Sequence, residues 1–223
     1  MASKYSEWTR GQDEALLNKL GGMEIALKLL TCNEVTVTFD TGDKLATITA
    51  DAPALKVWKT IKIGTGIKNG KALCSELEKK DFRIGDWARD MLGQKAFTVA
   101  TAEEDVDLVR LSVADLGFKE GARYDAICAR AIEMGLELCP AEVGPQLRLQ
   151  YPDQPRDEWF VIAMEAIRAS GGRLGVFGVE HGGLGRWLNC SDGDPDRFWH
   201  AAYRFVFRAR KPACPAGRQP SVA

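Results

Sequence analysis

The sequence predicts an α+β fold: short N-terminal helices with a small sheet, then a C-terminal antiparallel sheet packed on one main helix. Three observations carry that expectation. Apolar residues recur at helical spacing in the first thirty residues and again over 122–134. Val35-Thr36-Val37-Thr38-Phe39 and the run around Phe205 and Phe207 alternate with the period of a strand. In the last third, short strand-like runs follow one another across glycine-containing turns with no helix between them. That pattern means hairpins rather than parallel crossovers.

The N-terminal elements come first. Thr9 opens a helix with Gln12 at capping-box spacing, and Ala15, Leu16, Leu17 and Leu20 form its stripe. Gly21-Gly22 stops it, and a second short helix spans about 23–30. Val35–Phe39, the turn residues Asp40-Thr41-Gly42-Asp43 and a return strand over 44–50 form a hairpin. A third strand runs over 57–63. Asn69 opens a helix with Leu73 and Leu77 four apart, and a short helix over 85–92 turns Trp87, Ala88 and Met91 inward. Residues 96–99 read as a further strand.

The stretch 101–107 carries Glu103, Glu104, Asp105 and Asp107, and its low hydrophobicity suits either a boundary or a solvated connection. The expected organisation is an N-terminal α+β region over 1–103, a C-terminal α+β region over 104–211 and a disordered tail over 212–223. In the second region, 108–113 reads as a strand. The main helix over 122–134 puts Ile127, Cys128, Ala131 and Ile132 on one face. Strands follow at 147–151, 159–167, 174–180, 186–190 and 203–208.

Composition limits the function classes. The chain has 223 residues, is 45% hydrophobic, and carries 30 Lys and Arg against 31 Asp and Glu. That excludes a disordered chain or a charged tail protein and says little about partners. No apolar run approaches the roughly 18 residues of a membrane span, and 1–11 is not a secretory signal. A cytoplasmic protein with no membrane partner is expected. The six cysteines, Cys32, Cys74, Cys128, Cys139, Cys190 and Cys214, contain no close metal pair and are too sparse for a disulfide scaffold.

Four constellations are able to carry chemistry. Residues 56–95 hold ten Lys and Arg against five Asp and Glu, in a helix–break–helix pattern like a helix-turn-helix. Lys79, Arg83 and Arg89, with Arg204 and Arg208 on the last strand, are the candidate surface for nucleic acid or a protein partner. Asp86 and Asp90, on the second helix, would oppose phosphates, and a solvated basic face explains the same residues. Asp192, Asp194 and Asp196 alternate in a glycine-containing loop able to ligate Ca²⁺ or Mg²⁺, although Asp, Gly and Pro are also simply turn formers. Glu180 and His181, with His200, Glu142 and Glu165 elsewhere, suggest an acid–base pair, but neighbours on a strand point to opposite faces. Trp159, Phe160, Phe177, Trp187, Phe198, Trp199, Tyr203, Phe205 and Phe207 crowd the last third. Rings exposed on a sheet would stack bases or a sugar; buried rings would be core.

The run Val113-Ala114-Asp115-Leu116-Gly117-Phe118 and the segment from Gly135 to Tyr151 (GLELCPAEVGPQLRLQY), with Arg83-Ile84-Gly85-Asp86-Trp87-Ala88 and Phe205-Val206-Phe207-Arg208, resemble segments of an uncharacterised family of bacterial hypothetical proteins. The resemblance spans about 56–211 and implies no activity, cofactor or catalytic residue. With no recognised catalytic motif and only two histidines, the expected function is a non-enzymatic binding or interaction protein that uses no cofactor. The alternatives are a nucleic-acid-binding protein using 68–95 and the basic C-terminal strand, and a metal-assisted hydrolase using the three aspartates with His200.

Overall fold

The computed structural model describes the backbone of Glu34–Asp40 and Leu45–Asp51 and all of residues 55–210. The helices expected over 9–30 and the tail over 212–223 lie outside the described residues. Two compact units are present, one holding the hairpin and the other Lys56–Ile132 with the residues from Leu136 onward.

In the first unit β1 (Glu34–Asp40) and β2 (Leu45–Asp51) pair antiparallel, Glu34 opposite Asp51 and Asp40 opposite Leu45. This is the hairpin its alternation predicts.

The second unit corrects the expected fold class. In place of a modest sheet on one main helix, a nine-stranded mixed sheet curls into a half-barrel, accompanied by four short helices. Its strands are β3 (Lys59–Ile63), β4 (Arg83–Ile84), β5 (Glu104–Ser112), β7 (Leu136–Glu137), β8 (Trp159–Ile162), β9 (Ile167–Arg168), β10 (Leu174–Gly182), β11 (Gly185–Asp192) and β13 (Arg204–Ala209). The order is β3-β5-β13-β8-β10-β11-β4, with β7 beside β13 and β9 beside β10. The β13–β8 and β11–β4 pairs are parallel and the others antiparallel. β6 (Ala122–Arg123) and β12 (Phe198–Trp199) form a separate pair.

The acidic stretch 103–107 is mostly strand. Val106 and Leu108 are buried. The carboxylates of the stretch meet partners on β3: Asp107 accepts from Thr60 Oγ1 at 2.6 Å, and Lys62 bridges Glu103 at 2.8 Å and Asp105 at 3.3 Å. The ladder from Lys59↔Leu108 to Ile63↔Glu104 therefore joins residues on the two sides of position 103.

The helices are α1 (Gly70–Lys79), α2 (Asp86–Gly93), α3 (Tyr124–Glu133) and α4 (Val143–Gln150). Asn69 caps α1 by accepting from Ala72 N at 3.0 Å. On α3, Ile127 and Ala131 are buried, but Ile132, expected on the same face, is exposed. On α2, Ala88 and Met91 are buried while Trp87 points out, 50% exposed.

α4 is the largest departure from the sequence reading, which placed a strand at 147–151. Every residue from Val143 to Leu149 is buried. Leu147, Leu149 and Tyr151 mimic strand alternation, yet the polar residues between them face protein rather than water. Gly144 lets α4 approach the sheet: a Cβ there would stand 2.7 Å from Phe177 Cβ. Pro145 sits in the first turn, where its missing N–H costs nothing. Gln150 closes the β3 edge like an extra strand, its Oε1 accepting from Lys62 N at 2.9 Å and its Nε2 donating to Lys62 O at 2.7 Å.

Candidate functional site

Strand alternation sorts the residues of β8, β10 and β11 into two sets. Phe160, Ile162, Phe177, Val179 and Leu188 face α4 and are fully buried. On the opposite face the register aligns Trp159, Glu180, Trp187 and Arg83 in one row across β8, β10, β11 and β4. The next row is Val161, Gly178 and Asn189.

Gly178 leaves a gap in that second row. Over it lies a hollow of about 150 Å³, lined among others by Trp159, Glu180, Asn189 and Ser191. Trp159 also walls a second hollow, of about 320 Å³, with Asp157, Ala202, Tyr203 and Arg204. The two hollows share Trp159 as a common wall and are together called the trough. Its ring stands 5.2 Å from Tyr203 and 6.4 Å, edge-on, from Trp199. Trp199 is 5% exposed, and its Nε1 meets no acceptor.

The polar groups of the trough are held in place. Asn189 Nδ2 donates to Glu180 Oε2 at 2.7 Å. A Cβ on Gly85 would stand 2.7 Å from Asn189 Oδ1, so a side chain at Gly85 would displace this amide. At the far end Arg83 lies 5.3 Å above the Trp187 ring, an arrangement favoured by the negative face of the indole.

The sequence-predicted residues distribute as follows. β10 runs to Gly182, so Glu180 and His181 point apart; Glu180 holds Asn189, while His181 Nδ1 lies 2.6 Å from Gln154 O on the α4 side. Asp192, Asp194 and Asp196 line a hollow of about 640 Å³ with Arg168, Arg173 and Arg197, but they do not converge. Asp194 N donates to Asp192 Oδ1 and Asp196 N to Asp194 Oδ1, both at 3.1 Å, which is turn geometry. Asp196 pairs with Arg123, and Asp192 lies 3.9 Å from Arg173. Among the described residues no group of three or more His, Cys, Asp or Glu is arranged to hold a metal.

The basic candidates are mostly matched by acids. Lys79 bridges Glu76 at 2.6 Å, Arg89 bridges Glu78 at 2.7 Å, and Arg208 meets Glu104 at 3.2 Å and Glu137 at 3.6 Å. Arg204 lines the trough, and Arg83 is on β4, ahead of α2. These five residues do not assemble into one basic strip along α1 and α2.

Sequence reasoning singled out the aromatic crowd but not its division. Phe160, Phe177, Phe205 and Phe207 are core, whereas Trp159, Trp187 and Tyr203 remain partly exposed. It passed over Gly178, Asn189 and Ser191. The signal in the sequence was Gly178, a glycine inside the apolar run Val176-Phe177-Gly178-Val179, where a missing side chain marks a bulge or a close approach.

No family model, curated protein or solved structure matches the chain. Among the described residues no helix is long and apolar enough to cross a membrane.

Proposed function

We propose that this chain is a binding protein whose ligand lies across the sheet face in the trough divided by Trp159. The observation that carries the reading is the gap over Gly178, walled by a partly exposed indole and edged by the linked Glu180 and Asn189 side chains. Flat apolar surface beside a few oriented polar groups is the usual make-up of a small-ligand site. Glu180 serves here as a fixed acceptor.

Saturation-transfer NMR with a chemically mixed fragment set tests this on the wild type and on Gly178→Val. The valine side chain would fill the gap. Hits should lose their signal in Gly178→Val while its melting stays cooperative. Hits that persist unchanged in the variant would refute the location.

A further inference from the structure

Resting on that binding reading, we propose that the ligand of the trough is an uncharged carbohydrate chain a few pyranose units long. Length comes first. The hollow over Gly178 crosses three strands, from Trp159 on β8 to Asn189 on β11, at roughly 4.8 Å spacing, about 10 Å in all. The Tyr203 side extends the trough further. A short oligosaccharide fits that span, whereas a single small metabolite leaves most of it empty.

Surface chemistry points the same way. A pyranose ring has an apolar face of C–H groups and a rim of hydroxyls. Trp159 and Tyr203 offer flat apolar surface for the former. Glu180, Asn189, Ser191 and Asp157 offer acceptors and donors for the latter. Because Asn189 already binds Glu180 Oε2, this pair is oriented before a ligand arrives, and less rotamer freedom is lost on binding.

The competing classes fit less well. Phosphodiester chains bind where lysine and arginine outnumber acids along the track. Here Glu180 and Asp157 lie in the trough, Arg83 is stacked on Trp187, and only Arg204 lines the opposite end. Extended peptides bind by adding to an unpaired strand edge. This trough runs across the middle of a sheet, over β8, β10 and β11, whose facing edges are already paired.

Isothermal titration of the full chain with cello-, chito-, xylo- and malto-oligosaccharides, followed in parallel by tryptophan emission, is the test. One series should saturate. Its affinity should rise with chain length and hold when salt is raised, because no counterions are released. Asn189→Ala, a mild change at the rim, and Trp159→Ala should each weaken binding by roughly tenfold or more, with Trp159→Phe recovering part of the loss. If no sugar binds while single-stranded DNA or a peptide binds and Asn189→Ala or Gly178→Val removes it, the carbohydrate inference falls and the binding reading stands. If nothing in any class binds, or binding ignores Trp159, Gly178 and Asn189 alike, both fall.

Discussion

Glu142 offers the sharpest test of how the half-barrel is held. It precedes α4 and is fully buried. Its Oε1 accepts from Gly64 N and from Gln146 Nε2, each at 3.0 Å, and its Oε2 accepts from Ala100 N at 2.7 Å. One carboxylate therefore ties together three segments: the end of β3, the loop before β5 and the first turn of α4. Glu142→Ala leaves two main-chain N–H groups without an acceptor, at about 1–3 kcal/mol each. Gln146 keeps Thr65 Oγ1 at 2.8 Å, so its loss is smaller. Removing two carbon atoms from a packed site adds about 1 kcal/mol. The expected loss is about 3–7 kcal/mol, a large share of the stability of an ordinary domain. Urea unfolding followed by tryptophan emission should show a lower midpoint with an unchanged slope. Thermal melting should fall by about 6–28 °C for a domain of this size. Glu142→Gln should lie between the alanine variant and wild type, because one amide oxygen can still serve one N–H. An alanine variant within about 0.5 kcal/mol of wild type would show that these N–H groups reach water, and the account of α4 as a buried tie would be wrong.

Gly144→Ala should destabilise by about 1–3 kcal/mol in the same urea assay, since its Cβ would meet the Phe177 side chain at 2.7 Å in a packed core; an unchanged midpoint would mean that α4 shifts freely. Ile127→Asp puts an unpaired charge at a fully buried position of α3 and should cost about 4 kcal/mol or more, read as loss of cooperative melting; retained melting would place that face in solvent. Burial, the larger cause in both cases, raises Cys128 to about 11 and Tyr151 to about 12, with the hydrogen bond to Glu158 adding to the latter. Tyr124 is also raised by burial. Raised folded values mean that the native state holds protons the unfolded chain has released. Their contribution is complete below the unfolded values, about 8.5 for Cys and 10 for Tyr, and is lost as pH climbs through the folded ones. The urea midpoint should therefore fall between about pH 8.5 and pH 12, with Tyr124 and Tyr151 ionising at 295 nm only as the chain unfolds; early ionisation of all tyrosines would refute their burial.

Much of the strand layout was legible from local pattern: Val35 to Phe39 alternates with period two, and 174–180 and 203–208 are short apolar runs bounded by turn residues. In the structure the middle of each of the latter two is buried on both faces, Gly175 to Val179 and Phe205 to Phe207. The sheet's membership was not legible. β3 and β5 join through Lys62, Glu103 and Asp105, and the charges that look like a solvated linker in one dimension are a ladder of cross-strand pairs in three. α4 was hidden for a different reason. A helix enclosed on all sides has no polar face, so its 3.6-residue period vanishes, and Leu147, Leu149 and Tyr151 mimic a strand instead. The trough was half visible: its rings are plain in the sequence, but which of them face solvent depends on a register set by β10, and Gly178 acts through the side chain it lacks.

Arg148 shows how the hidden helix and the trough are connected. It is fully buried on α4, and its hydrogen bonds go to neutral groups: Gln154 Oε1, the Tyr151 carbonyl and, at 3.3 Å, the Glu180 carbonyl. Phe82 supports the guanidinium from 4.8 Å. Burial, with Arg186 nearby, draws its pKa down to about 10, so it remains charged at neutral pH. Gln154 passes the connection on, its Nε2 donating to the Glu158 carbonyl at 3.0 Å and its own carbonyl meeting His181. A buried charge served by carbonyls demands their positions closely, because each one lost is costly in a low-dielectric interior. Glu180 presents its carbonyl to this network and its carboxylate to Asn189 in the trough. Glu142, Gln146 and Gln150, spaced one turn apart along α4, hold β3, while Arg148 on the same helix holds the end of β10. One eight-residue helix thus ties two strands far apart in the sheet order, β3 through Gln150 and β10 through Arg148.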